Sequence, residues 1–336
     1  MLRTSFTQMM EIDHPILLAP MGGSVSLELA VAVAQAGAFA MFGASWDTPE
    51  QLRASIAGFR AASARPFAVN LCLEWDQHER LEIALAEDVP VISLFWGDPK
   101  PYLAKIRSAG AKSMVTVGSA EEARRVADLG ADIVVAQGVE AGGHVWSKVG
   151  TMVLVPAVVD AVTPLPVIAA GGIADGRGIA AALALGAAGA WMGTRFLATP
   201  EAQAAEDYKR HLIAACETDT VHTELFDLGW PRAPHRVIRN STYEAWDGAG
   251  RPRSGERPGE GQPVAWQADG SPLLRYSDDT ARPGATGNLE GTCLYAGQSV
   301  GLVRDILPAG ELVRRLIAEA QSALSAVAFR AASSSK

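Results

Sequence analysis

Cysteine is scarce in this 336-residue sequence, which contains only Cys72, Cys216 and Cys293, without CxxC spacing. Neither a disulfide framework nor a thiolate metal cluster is therefore indicated, and we predict a protein of the reducing cytoplasm. Long apolar runs are also absent, because glycine, proline or charge interrupts each one before the roughly 18 residues of a membrane span. The opening segment MLRTSFTQMMEIDHP has no signal-peptide core. We expect neither membrane insertion nor export.

Basic residues are fewer than acidic residues in this sequence. The chain has 29 lysines and arginines against 37 aspartates and glutamates, a formal net charge of −8, and no basic block. This balance argues against a nucleic-acid partner or an anionic membrane surface and favours small-molecule chemistry. No histidine pair has the i, i+4 spacing with a glutamate that is typical of zinc sites, so we predict no metal.

The residues that are abundant form a repeated pattern in which short runs rich in valine, isoleucine and phenylalanine alternate with alanine-rich, helix-compatible segments. Eight strands are predicted, at Ile16–Pro20, Phe39–Gly43, Phe67–Leu71, Val91–Phe95, Ser113–Val117, Ile133–Ala136, Val167–Ala170 and Ala190–Met192. Continuous apolar strands that alternate with helices indicate a parallel sheet buried on both faces. Eight such units predict a (β/α)8 TIM barrel; the alternative is an open doubly wound sheet.

The pattern ends near residue 214, after a predicted eighth helix that follows Pro200. We predict a barrel over residues 1–214 and a C-terminal extension over residues 215–336 with an amphipathic closing helix. Within the extension, residues 241–290 form a long excursion rich in glycine and proline, including GAGRPRSGERPGEGQP. We interpret it as a segment over the barrel mouth or flank; the alternative is a disordered surface loop.

Glycines follow the seventh and eighth predicted strands. In a barrel the carboxyl ends of the strands surround one cavity, and glycine lets backbone N–H groups approach an anion closely. We therefore predict a phosphate site, to which the Thr194 hydroxyl adds a donor and a short helix starting near Arg195 adds its positive end. The predicted residues are Ala170, Gly171, Gly172, Gly193 and Thr194.

Amides lie at the ends of strands three and six. Asn70 and Gln137 can donate and accept, which suits the polar edge of a flavin, and Ala19-Pro20-Met21 after strand one gives extended backbone beside its ring. Ordinary strand-end capping is the alternative for each. Trp46 and Trp146 also follow strand ends and are candidates for the wall of an apolar substrate pocket, or for an aromatic plug.

Four segments resemble the nitronate monooxygenase family, formerly the 2-nitropropane dioxygenases: PILLAPMGG, GVEAGGHVW, PVIAAGGIADGRGIAAALALGAAGAWMGTRF and LYAGQSVGL, in the expected order over residues 15–305. The resemblance implies a barrel that binds FMN, and a catalytic His144. It also implies that Gly142 and Gly143 give the flavin room, and that Gln298 and Gly301 close the site.

The same resemblance implies oxidation of alkyl nitronates by O2 to a carbonyl compound and nitrite, and extends to neutral nitroalkanes if His144 removes their α-proton. A protonated His144 would instead hold a nitronate anion. The family also contains FMN-dependent NAD(P)H reductases of quinones and enoyl thioesters. A non-catalytic sensor of a flavin or phosphate ligand, and a phosphate-binding barrel without flavin, are further alternatives. The excursion is long enough to mediate a homodimer.

Overall fold

A computed structural model describes residues 2–333 of the chain. Its main feature is a sheet of eight parallel strands whose side chains are almost entirely buried, as their apolar sequences predict. These strands are β1 (Ile16–Leu18), β2 (Ala40–Gly43), β3 (Phe67–Cys72), β4 (Val91–Phe95), β5 (Lys112–Val117), β6 (Ile133–Gln137), β8 (Val167–Ala170) and β9 (Gly189–Met192). The two-residue strand β7 (Gly143–His144) belongs to another sheet.

The strands follow the order β1-β9-β8-β6-β5-β4-β3-β2, and the two ends of this sheet meet. The Leu18 N–H donates to the Phe39 carbonyl, and the Phe39 N–H donates to the Ile16 carbonyl. The eight strands therefore form a barrel with helices between them, which confirms the predicted TIM barrel and excludes the open sheet. The intervening helices are α2 (Leu27–Gln35), α3 (Pro49–Ala62), α4 (His78–Ala86), α5 (Lys100–Ser108), α6 (Ala120–Asp128), α7 (Thr151–Val162) and α8 (Gly176–Ala184).

The two ends of the chain complete the barrel. Helix α1 (Ser5–Met10) places Phe6 and Met10 in the apolar interior with Leu17 and Phe39. The predicted helix after Pro200 is present as α10 (Glu206–Ala214), but α12 (Ala309–Ser333) packs between α8 and α2. The C-terminal helix thus occupies the eighth place in the outer ring. Within residues 2–333, none of the helices combines the length and the apolar composition of a membrane span.

The extension between α10 and α12 contains regular structure. Strands β10 (Thr220–Thr223) and β11 (His235–Ile238) form an antiparallel sheet with β7, which attaches the extension to the loop after β6. A one-turn helix, α9 (Thr194–Leu197), follows β9. Three 3-10 turns complete this region, at Glu217–Asp219, Leu289–Gly291 and Gln298–Leu302.

The excursion 241–290 is folded, so the disordered-loop alternative is wrong. It contains helix α11 (Ser241–Gly248) and an antiparallel sheet of β12 (Pro263–Trp266), β13 (Pro272–Leu274) and β14 (Thr286–Gly287). Ala265 and Leu273 of this sheet join the main apolar core. Its irregular middle is held by the buried Arg257, whose guanidinium pairs with Asp227 and Glu260. These long-range contacts offset a local sequence unfavourable to regular structure.

Candidate active site

A cavity of about 660 Å³ opens at the carboxyl ends of the barrel strands, within the size range of cofactor and ligand pockets. The carboxyl ends of all eight barrel strands and parts of the extension line it. Most of the positions predicted from sequence lie in its wall. They are Ala19, Pro20, Met21, Trp46, Asn70, Gln137, Gly142, Gly143, His144, Ala170, Gly171, Gly172, Gly193 and Thr194.

One side of the cavity is built from glycine-rich backbone after β8 and β9. Gly171 and Gly172 have φ values of +96° and +74°, a left-handed conformation that disfavours other residues. Beside them, the Thr194 hydroxyl accepts a hydrogen bond of 3.0 Å from the Gly297 N–H. Its own hydrogen remains able to donate into the cavity. This side can bind an anion through backbone and hydroxyl donors.

The turn that carries His144 rests on the segment AGQSVGL of the extension. A Cβ atom at Gly142 would lie 2.4 Å from the Gly297 nitrogen and 2.5 Å from the Ala296 carbonyl carbon, so Gly142 is needed for contact between two stretches of backbone. Gly143 has a φ of +75°, and a Cβ there would meet open space. The GVEAGGHVW turn and the AGQSVGL segment therefore position each other.

His144 lies in β7 opposite His235 of β11 and is mostly buried. The ring of Trp230 lies 4.0 Å from the His144 ring, centroid to centroid, at 33°. The Nε2 atom of His144 is buried and has no hydrogen-bond partner among the described residues. Burial, with a smaller contribution from His235, lowers the His144 pKa from 6.5 to about 3. His144 is therefore a neutral imidazole near neutral pH.

This lowered pKa makes stability depend on pH. The pKa of an unperturbed histidine is 6.5, whereas that of His144 in the folded protein is about 3, so below pH 6.5 the unfolded chain binds the proton more readily. His144 therefore lowers the stability of the fold progressively as the pH falls towards 3. When the pH is lowered from 7 to 5, the unfolding free energy of the wild type should fall by about 2 kcal/mol more than that of His144→Asn. Urea unfolding at both pH values tests this; equal losses would contradict a buried neutral imidazole.

The two predicted amides are fixed by neighbouring groups. Asn70 Nδ2 donates to Ser93 Oγ at 2.9 Å, and Gln137 Nε2 donates to the backbone carbonyl of His144 at 3.2 Å. Each bond orients its amide and leaves the side-chain oxygen and a second N–H for a ligand. Gln137 thus also holds the backbone of His144.

Three predicted site positions lie outside the cavity. Trp146 points away from it, because its indole N–H donates to Glu122. Gln298 is exposed, and only its backbone N–H joins the motif contact, by donating to the Glu140 carbonyl. A Cβ atom at Gly301 would lie 2.7 Å from the Glu217 backbone nitrogen, so this glycine serves packing within the extension.

Several cavity residues were not predicted from the sequence. Trp75 and Thr116 follow or end barrel strands, and their positions could have indicated them. Trp230 and Tyr295 come from the extension, where no local pattern places them near β6. The Cys72 thiol also lines the wall, but burial raises its pKa to about 12, so it is no nucleophile at neutral pH.

The excursion contributes charge to the cavity. Asp278, Asp279 and Arg282 line it together with Asp47 from the barrel. Burial, and then the charge of Asp279, raise the Asp278 pKa to about 6. Among the described lining residues, three carboxylates therefore face one guanidinium. The described residues contain no group of three or more histidine, cysteine or acidic side chains placed to hold a metal ion.

A TIM barrel with a glycine-rich side able to bind an anion, fixed amides and a neutral histidine in one cavity meets the requirements of a flavin-dependent oxidoreductase on a barrel. The family model described as Nitronate monooxygenase matches residues 3–80 and 72–319. The chain therefore belongs to the nitronate monooxygenase family, as the sequence motifs indicated.

Similar proteins span nearly the whole chain. A Mycobacterium tuberculosis protein named (3aS,4S,5R,7aS)-5-hydroxy-7a-methyl-1-oxo-octahydro-1H-indene-4-carboxyl-CoA dehydrogenase is 33% identical over 351 residues, which covers 95% of this chain and 96% of that protein. The structure of FabK from Thermotoga maritima has a TM-score of 0.83 and 33% identity, covering 98% and 100%. Nitroalkane oxidase from Streptomyces ansochromogenes has a TM-score of 0.77 and 30% identity, covering 96% and 99%.

Proposed function

We propose that the chain binds FMN and uses O2 to oxidise nitro compounds, as neutral nitroalkanes or alkyl nitronates, to a carbonyl compound and nitrite. The observation that carries this proposal is that His144, the only histidine among the described residues that line the cavity, is a neutral imidazole. A nitroalkane must lose its α-proton before it is oxidised, and a neutral imidazole can accept that proton. The protonated alternative, in which His144 holds an anion, is disfavoured by the lowered pKa.

The cavity has the donors that FMN requires. The positive φ values of Gly171 and Gly172 and the free hydrogen of the Thr194 hydroxyl suit a phosphate. The amide oxygens and remaining N–H groups of Asn70 and Gln137 suit the polar groups of the ring or the ribityl chain. The space beside Gly143 leaves room for a ring. Bound FMN supplies the capacity to accept electrons and to react with oxygen.

The protein's own residues would then accept the proton of the substrate and exclude water from the site. As a neutral imidazole, His144 has one ring nitrogen with a free lone pair, which takes the α-proton of the substrate. Gln137 holds the His144 backbone, and the ring of Trp230 keeps water from one face of the imidazole. The electron pair left on carbon becomes the C=N bond of the nitronate.

A second candidate is oxidation or reduction of a CoA thioester, because the Mycobacterium tuberculosis dehydrogenase matches this chain over 95% of its length. The charges favour nitro compounds, since CoA and pyridine nucleotides carry several phosphates while the described lining has three carboxylates and one guanidinium. The same argument disfavours an NAD(P)H-dependent reductase.

Absorption spectroscopy of the purified protein tests the proposal. We expect a flavin spectrum, and we expect nitroethane or its nitronate to bleach it under anaerobic conditions on mixing. NADH should leave the spectrum unchanged. Rapid bleaching by NADH alone would favour the reductase, and a colourless protein that takes up no added FMN would overturn the cofactor assignment. Oxygen uptake with nitrite release completes the test.

A further inference from the structure

The cavity has a second side that the proposed chemistry does not explain. In the ring of strands, β3 and β4 lie opposite β8 and β9, and so across the barrel from the glycine-rich side. The lining here is aromatic. It comprises Trp46 after β2, Trp75 after β3, Phe95 at the end of β4 and Trp230 from the extension.

Three of these rings form a continuous series, which we name the tryptophan track: Trp46, Trp75 and Trp230. Their ring centroids are 5.5 Å apart for Trp46 and Trp75, and 5.0 Å apart for Trp75 and Trp230. The Trp230 ring then contacts the His144 ring at 4.0 Å. The track therefore leads from the first tryptophan directly to the proposed base.

The outer end of the track is open to solvent. Trp46 is 57% exposed, and Leu228, which also lines the cavity, is 39% exposed. The Trp46 ring packs against the backbone of Gly22, where a Cβ atom would lie 2.9 Å from the ring. A large aromatic surface is thus held at the cavity mouth without protein to cover it, whereas Trp230 at the inner end is 2% exposed. Uncovered apolar surface in a cavity marks the place of an apolar ligand group.

We propose that the substrate carries a bulky apolar group, an alkyl chain or an aromatic ring, that lies along the tryptophan track while its nitro-bearing carbon meets His144. This inference rests on the proposed function and adds the class of substrate. The smallest nitroalkanes would leave the outer end of the track, at Trp46, in contact with water. Each added methylene group should therefore increase kcat/KM by about two- to fourfold until the track is covered.

Kinetics with a homologous series test this directly. From nitroethane to 1-nitrohexane we expect kcat/KM to rise on the order of 100-fold in wild type, with phenylnitromethane also favoured. Trp46→Ala and Trp75→Ala should flatten this dependence on chain length. Trp146→Phe is the matched control, since Trp146 lies outside the cavity, and it should keep the wild-type dependence. Because Trp46 is mostly exposed, its replacement leaves the core intact.

Binding of unreactive carboxylates separates this proposal from the proposed function. Propionate, hexanoate and phenylacetate are titrated into the flavin-loaded protein and followed by the change in flavin absorption. We expect affinity to rise with apolar size in wild type and Trp146→Phe, and to rise much less in Trp46→Ala. If no nitro compound turns over but this pattern holds, the proposed function fails and the track stands. If nitro compounds turn over while neither kcat/KM nor affinity depends on size, the track proposal is overturned.

Discussion

The variant His144→Ala is expected to lose about 10³-fold in kcat/KM with neutral nitroalkanes while it binds FMN as tightly as wild type. His144 is the only histidine among the described residues that line the cavity, so no second imidazole there can take its place as the base. The glycine side, Asn70 and Gln137 remain in the variant, so the proposed cofactor contacts persist. Steady-state kinetics and flavin absorbance measure the two effects separately.

The same variant distinguishes the two roles considered for this histidine. If His144 removes the α-proton, a preformed nitronate bypasses that step, and His144→Ala should retain most of its activity with ethyl nitronate. An equal loss with both substrates would instead assign His144 to holding the anion, contrary to its lowered pKa. Exposed His78 on α4 provides the control, because His78→Ala should leave both rates unchanged.

The barrel was predictable because its strands are buried on both faces. Such strands are apolar throughout, and the helices between them repeat in the sequence, so each βα unit has a local pattern. Strand β4, for example, has the predicted bounds Val91–Phe95. The place of α12 in the outer ring was not predictable by the same means, because it depends on contacts with α8 and α2 far away in the chain.

The excursion shows a second reason why structure could not be predicted from the sequence. Its strands have two to four residues, too few for alternation to be recognised, and glycine and proline dominate the local composition. One signal was present: Asp269-Gly270 lies between β12 and β13, and Asp-Gly is typical of hairpin turns. The buried pairing of Arg257 with Asp227 and Glu260, which holds the irregular part, has no local pattern.

The site residues at the ends of the barrel strands were predictable from the sequence. Those that the extension brings into the cavity were not. Gly171 and Thr194 lie after barrel strands, so the fold class alone places them at one rim. Trp230 reaches His144 only because β11 pairs with β7, a contact between segments almost a hundred residues apart in sequence. Trp146 was misplaced because a residue after a strand can turn either into the cavity or, as here, towards Glu122.

Gly142→Ala is expected to cause the largest loss among glycine replacements in the cavity wall. The new Cβ would overlap backbone atoms of Ala296 and Gly297, which cannot move aside as a flexible side chain would. The turn at residues 140–144 must therefore shift and carry His144 with it. We expect about 1–3 kcal/mol lower stability from the overpacking. We also expect about a 100-fold loss of kcat/KM, since a displacement of about 1 Å is enough to disrupt a reacting geometry.

Thermal unfolding and steady-state kinetics of Gly142→Ala test this, with Gly248→Ala as the matched control. A Cβ atom at Gly248, at the end of α11, would meet nothing within 4 Å, so this second variant should be as active and at least as stable as wild type. Wild-type activity in Gly142→Ala would mean that contact between the two motifs does not position His144. Loss of activity with unchanged stability would mean that the turn moves at little energetic cost, and that the motif contact serves catalysis more than folding.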